Sequence, residues 1–174
     1  MTISVGDRAE PFALPYEPGG TIDLADHLGR DRIVLLFYPL AFSSVCTTEL
    51  CRFRDDWKGF AALDAAVFGI SVDSPFVTAR FRAEEEIPFP LLSDFNRTVS
   101  DDWGVLHEDL MGLKGVAKRA AFVIGRDGKV AYAWVAEDPH VEPDYEEVRR
   151  AVADAACRAE TRPDAPRRGL SPPV

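Results

Sequence analysis

One cysteine sits where a thiol can be turned into a nucleophile. Cys46 follows the apolar run Ile33-Val34-Leu35-Leu36-Phe37-Tyr38 after a short loop that begins at Pro39. Ser43 or Ser44 offers a helix N-cap in that loop, so Cys46 falls in the first turn of a helix. Unpaired N–H groups and the positive end of the helix dipole favour a thiolate there. Cys51 lies five residues on. On one intact helix that spacing gives a rise of ~7.5 Å and a turn of ~140°, so the two Cα atoms sit roughly 8–9 Å apart. A disulfide needs about 4.4–6.8 Å. A Cys46–Cys51 bridge therefore requires the first turns of the helix to unwind, which is cheap at a helix end. The third cysteine, Cys157, falls in a terminal helix and reads as structural or incidental.

The elements that must position Cys46 are legible from periodicity. Residues 33–38 form a continuous apolar stretch, the pattern of a strand buried on both faces, and Pro39 ends it by removing a backbone donor. Cys46, Leu50, Phe53, Trp57 and Phe60 recur at helical spacing, which predicts one helix over 46–64 with that stripe on the sheet. Cys51 has Thr47, Thr48, Arg54, Asp55 and Lys58 around it on the helix, a polar face, and is expected to be more exposed than Cys46. Ala66 to Val72 is a second buried strand. Ser74 and Pro75 start a helix to about Glu86 that is expected to bury Phe76 and Phe81. Phe89 to Leu92 is a short strand whose prolines suit an edge, and Thr98 to Trp103 a short helix. Ala120–Ile124 and Val130–Val135 form a hairpin across Asp127-Gly128. A short hairpin precedes all of this, over about residues 12–24, and a last helix runs from Tyr145 to about Ala159. The order βαβαβ, then antiparallel hairpin and helix, predicts a thioredoxin-like α/β fold: a mixed sheet flanked by helices, with an N-terminal hairpin extension. Residues 1–158 read as one domain and 159–174, rich in proline and arginine, as a disordered tail.

At 174 residues the chain can bury a core without staples. A formal charge of −9 argues against a nucleic acid or an anionic membrane as partner. No run approaches the ~20 apolar residues of a membrane span, and the first residues lack an apolar signal-peptide core. A cytoplasmic location is expected. His27, His107 and His140 lack ligand spacing, and the cysteines lack Cys-x-x-Cys pairs, so neither a metal nor a cofactor is expected.

The segment Pro39-Leu-Ala-Phe-Ser-Ser-Val-Cys46 resembles the active-site motif of the peroxiredoxin family: proline, three residues, threonine or serine, two residues, cysteine. Val5 to Leu14, Ile70 to Ser74, Phe89 to Asp94 and Arg119 to Ile124 are similar to further landmarks of that family, in the same order. The motif wording resembles the AhpE-like branch; the Cys46-x4-Cys51 spacing resembles the bacterioferritin-comigratory, PrxQ-like branch.

This resemblance implies a thiol-dependent peroxidase reducing hydrogen peroxide or organic hydroperoxides through a Cys46 sulfenic acid. Cys46 is then the nucleophile. Arg119 stabilises the thiolate and binds peroxide. Ser43 supplies a hydroxyl, Pro39 shields the sulfur, and Glu49, one turn after Cys46, holds the arginine. Serine at position 43 keeps the hydroxyl of the family's usual threonine and loses its methyl, leaving the rotamer less fixed. Cys51 either resolves the sulfenic acid or leaves that to an external thiol. The implied partners are a hydroperoxide, a reductant of thioredoxin, glutaredoxin or low-molecular-weight thiol type, and a second copy of the chain in a homodimer. The same residues would serve a peroxide sensor or redox relay. A thioredoxin-like disulfide oxidoreductase is disfavoured by the missing Cys-x-x-Cys.

Overall fold

The computed structural model describes residues 3–160, with side chains as far as Ala155. An N-terminal hairpin comes first, β1 (Ala13–Glu17) with β2 (Gly20–Asp23). The central elements follow in the order β3 (Arg32–Phe37), α1 (Ser44–Asp55), α2 (Trp57–Ala62), β4 (Ala65–Ser71), α3 (Pro75–Glu84), β5 (Leu91–Ser93), α4 (Thr98–Asp102), β6 (Ala120–Ile124), β7 (Val130–Val135) and α5 (Tyr145–Glu160).

Five strands form one mixed sheet in the order β5-β4-β3-β6-β7. β3 runs parallel to β4, and β4 to β5, while β6 is antiparallel to both β3 and β7. The expected thioredoxin-like α/β arrangement is present. β3 lies at its centre, and Ile33 to Phe37 are all fully buried. Alternation along the strand explains this: Val34 and Leu36 join the layer containing Cys46, Leu50, Phe53 and Phe81, while Ile33, Leu35 and Phe37 pack with Leu24, Trp103 and Phe122 on the other face. β5 is an edge strand, as its flanking prolines predict. The Asp127-Gly128 turn closes as expected, with Gly128 at φ +75° and its N–H 2.9 Å from the Gly125 carbonyl.

Two expectations are corrected. The helix predicted over 46–64 breaks at Asp56, whose backbone leaves helical geometry at φ −93°, ψ 11°. Two adjacent aspartates are poor helix-interior residues, and the break sets Phe60 against Phe53 with ring centroids 5.4 Å apart. Phe76 is 69% exposed rather than buried. It precedes Phe81 by five helical positions, about 140° around the axis from the stripe that faces the sheet. The tail expected from 159 lies, beyond Glu160, outside the described residues, as does the side chain of Cys157.

Candidate active site

The site is built where β3 ends. Tyr38 continues the ladder by donating its N–H to the Ile70 carbonyl at 3.0 Å. Pro39, buried and without an N–H, ends it. The loop then turns through Phe42, which adopts φ +63°, uncommon for an aromatic residue. Ser43 stands at the N-cap position of α1, and its carbonyl accepts the Thr47 N–H at 2.9 Å. Ahead of that bond the first-turn N–H groups, that of Cys46 among them, have no intrahelical acceptor.

The Ser43 side chain departs from expectation. Its hydroxyl neither caps the helix nor meets the sulfur; it donates to the Leu40 carbonyl at 3.1 Å. The tight loop leaves that carbonyl without a strand partner, and the nearest hydroxyl satisfies it. The free first-turn N–H groups thereby remain directed at the end of the helix where Cys46 sits.

Cys46 is 1% exposed. The Arg119 Nη2 donates to its Sγ at 3.4 Å and to the Pro139 carbonyl at 3.0 Å, while Nε donates to the same carbonyl at 3.2 Å. Nη1 donates to Glu49 Oε2 in a buried ion pair. Glu49 is three residues after Cys46, so both project from one side of α1 toward the same guanidinium. Arg119 immediately precedes β6, whose Ala120 pairs with Phe37, which brings the arginine beside the end of β3. Cys46, Arg119 and Glu49 thus converge; Pro39 and the Ser43 hydroxyl lie in the loop that leads into α1.

Burial pushes the Glu49 carboxyl up to about 7, against the pull of the Arg119 guanidinium. Burial opposes the charge on Arg119 as well, but Glu49 and the Cys46 sulfur together hold it above its ordinary value. The second Glu49 oxygen and the Tyr38 hydroxyl are buried without hydrogen-bond partners, and burial raises the phenol well above its usual range. Among the described residues, no group of three or more His, Cys, Asp or Glu side chains could hold a metal ion.

Cys51 is half-buried and more exposed than Cys46, as its polar helix face predicts. Its Sγ donates to Glu85 Oε2 at 3.6 Å. Burial raises its thiol, Arg54 opposes that, and Glu85 adds to the rise. Sequence reasoning missed three residues here: Glu85, the Pro139 carbonyl, and Asp73, whose carboxylate accepts the Ala41 N–H of the active-site loop at 2.8 Å. Of these only Asp73 left a signal, its place just past a buried strand parallel to β3.

The fold and this constellation can be set beside known proteins. Residues 5–133 match the AhpC/TSA family. The chain belongs to that family, the peroxiredoxins. It is 34% identical over 140 residues to the peroxiredoxin Bcp of Bacillus subtilis, covering 77% of this chain and 86% of that protein. It is 38% identical over 145 residues to a chloroplastic 2-cysteine peroxiredoxin of Chattonella marina, covering 78% and 72%. Among solved structures, the peroxidoxin BcpB of Mycobacterium tuberculosis superposes with a TM-score of 0.75 at 35% identity, over 89% of this chain and 97% of that one. Relatives named Bcp support the bacterioferritin-comigratory side of the resemblance, with the AhpE-like wording a minor addition. This peroxiredoxin is a thiol-dependent peroxidase of thioredoxin-like fold. Among its described residues, no helix is long and apolar enough to cross a membrane.

Proposed function

We propose that Cys46 is the peroxidatic nucleophile and that Arg119 activates it. The observation that carries this is a single guanidinium meeting both the Cys46 sulfur and the Glu49 carboxylate in a buried site. The thiolate attacks the terminal oxygen of a hydroperoxide. The new S–O bond forms as the O–O bond breaks; the leaving oxygen departs with the electron pair and takes a proton, giving an alcohol or water and a Cys46 sulfenic acid. Arg119 and the N–H groups of the first turn of α1 supply positive charge where the thiolate and the leaving oxygen carry negative charge. Glu49 and the Pro139 carbonyl together fix the guanidinium plane. Pro39 keeps water from the sulfur, and the Ser43 hydroxyl, released from Leu40, meets a peroxide oxygen.

Cys51 resolves the sulfenic acid by forming a disulfide with Cys46. Both lie in α1, so the helix must open first. The disulfide is then reduced by a thiol of thioredoxin, glutaredoxin or low-molecular-weight type. This need for a reducing pool supports a cytoplasmic working place. The exposed rings of Phe42, Phe76 and Phe95 support a homodimer; sedimentation at micromolar concentration should give twice the mass of one chain.

The deciding experiment is stopped-flow oxidation with hydrogen peroxide and an alkyl hydroperoxide. Wild type should react rapidly and Cys46→Ser should not; fast peroxide consumption by Cys46→Ser would sink the assignment. Mass spectrometry after one equivalent of peroxide tests Cys51. Loss of two hydrogens supports the bridge, and a lasting sulfenic acid rejects it.

A further inference from the structure

The segment that must be folded for peroxide attack and unfolded for disulfide formation is tied at both ends to one neighbour, the stretch from the end of β4 to the end of α3. At the front, the Asp73 carboxylate accepts the Ala41 N–H at 2.8 Å and the Ser71 hydroxyl at 2.9 Å, both through Oδ2. Asp73 is itself held, because the buried Ser93 hydroxyl donates to its carbonyl at 2.6 Å. The next residue of the loop, Phe42, is the one in the left-handed region at φ +63°. A strained conformation of this kind persists only where its surroundings over-determine it, and the Ala41–Asp73 bond is part of that restraint.

At the back, Glu85 makes two contacts with α1. Its Oε2 accepts the Cys51 thiol proton at 3.6 Å, and its carbonyl accepts the Arg54 Nη1 at 2.8 Å. Cys51 and Arg54 are three apart, one turn of helix, so Glu85 grips α1 just beyond the turn that carries Cys46. Between the two grips, Phe81 of α3 packs against Phe42 with ring centroids 4.8 Å apart.

We propose that Asp73 and Glu85 are positioning residues that together clamp residues 41–54 in the peroxide-competent fold, and that release of this clamp admits Cys51 to the Cys46 sulfenic acid. The proposal rests on the reading of Cys51 as the resolving thiol. The gated step balances without an added oxidant. The Cys51 S–H bond gives up its proton, the sulfur electron pair forms the S–S bond, and the Cys46 S–O bond breaks. The departing hydroxide takes the proton and leaves as water. A thiol donating to Glu85 on a closed helix is neither ionised nor within reach. The clamp therefore orders the two steps.

The test separates them in the full-length protein, by stopped-flow tryptophan fluorescence with quenched-sample mass spectrometry. Loss of one hydrogen bond to a charged acceptor sets the scale at roughly tenfold. Asp73→Ala should slow sulfenic acid formation about tenfold and speed disulfide formation by a similar factor. Asp73→Asn keeps an acceptor for the Ala41 N–H and should return both rates to within about threefold of wild type. Glu85→Ala should speed disulfide formation by roughly three- to tenfold, the weaker effect of a thiol donor. Rescue by asparagine separates loss of the Ala41–Asp73 bond from a general loosening of the segment, which asparagine would not repair. A wild-type disulfide phase that Asp73→Ala and Glu85→Ala leave within twofold overturns the clamp alone. No disulfide phase in wild type or in either alanine variant overturns the clamp and the resolving role of Cys51 together. A phase that appears only in the alanine variants supports the clamp.

Discussion

Arg119 joins two demands that can be pulled apart by mutation. In Arg119→Met the sulfur loses its guanidinium donor at 3.4 Å. Removing one preorganised donor from a reacting centre costs about 10²–10³ in rate, so the second-order constant for peroxide should fall by that factor, equivalent to roughly 2.7–4 kcal/mol. The same substitution leaves the buried Glu49 Oε2 and the half-buried Pro139 carbonyl without their donor. Each orphaned group costs about 1–3 kcal/mol, and a total near 3 kcal/mol lowers Tm by roughly 6–12 °C in a domain of this size. Adding Glu49→Leu removes one orphan and fills its place with apolar volume, the kind of exchange that is often neutral or stabilising for a buried pair. The double variant should regain about 1–3 kcal/mol of stability and none of the peroxide rate. Stopped-flow oxidation and urea unfolding of the three proteins read the two quantities independently. A rate for Arg119→Met within threefold of wild type, or a rate that recovers in step with stability, refutes the argument that the guanidinium acts on the sulfur.

Glu49 gives a pH signature. Its folded carboxyl is raised by burial to about 7 from 4.5, so ionising it costs more in the folded chain than in the unfolded one. That contribution is complete below about pH 4.5 and fades as pH rises through 7; wild type should lose stability relative to Glu49→Gln across that window, and parallel pH–stability curves for the two would contradict it. Gly69 sits in β4 where an added Cβ would lie 2.5 Å from Leu91 Cδ2 and 3.3 Å from Tyr38 Cε1. Both neighbours are fully buried, so Gly69→Ala should cost about 1–3 kcal/mol in urea unfolding. Asp94 is buried and accepts the N–H groups of Val99 at 3.3 Å and Ser100 at 2.7 Å at the start of α4. Asp94→Ala should cost about 1–2 kcal/mol, and a value under 0.3 kcal/mol would refute the capping role.

Much of this was legible because strong local patterns and the tertiary environment agree. Ile33 to Phe37 read as a doubly buried strand, and they form the centre of the sheet. Asp127-Gly128 read as a hairpin turn and is one. Failures came where a local rule met a neighbour it could not see. Helical spacing carried the stripe from Cys46 through Phe60 and so hid the break at Asp56, which only the aspartate pair could have betrayed. An aromatic near the start of a helix reads as core, yet Phe76 lies off the stripe set by Phe81. Ser43 had the residue type and position of a side-chain cap, but the Leu40 carbonyl in the same loop competes for the hydroxyl. The Pro139 carbonyl left no trace at all, since a backbone acceptor carries no residue signature.

The distant partners of Cys46 have a common geometric origin. A loop leaving the C-terminal end of β3 lies beside the C-terminal end of its parallel neighbour β4 and the N-terminal end of its antiparallel neighbour β6. Residues just past β4 and just before β6 must therefore flank it. Asp73 is two residues after Ser71, and Arg119 is one residue before Ala120; one meets the loop at Ala41, the other meets the sulfur. The chemistry at Cys46 thus depends on sheet order as much as on the local motif. In a sheet with β4 and β6 exchanged around β3, the same Pro39–Cys46 segment would have carboxylate and guanidinium on the wrong sides. Register matters equally: a one-residue slip of β6 against β3 would move Arg119 along the strand and turn its side chain to the opposite face of the sheet. The full burial of Ala120 through Ile124 on both faces makes such a slip costly, so the apolar packing that stabilises β6 is also what holds the guanidinium on the sulfur.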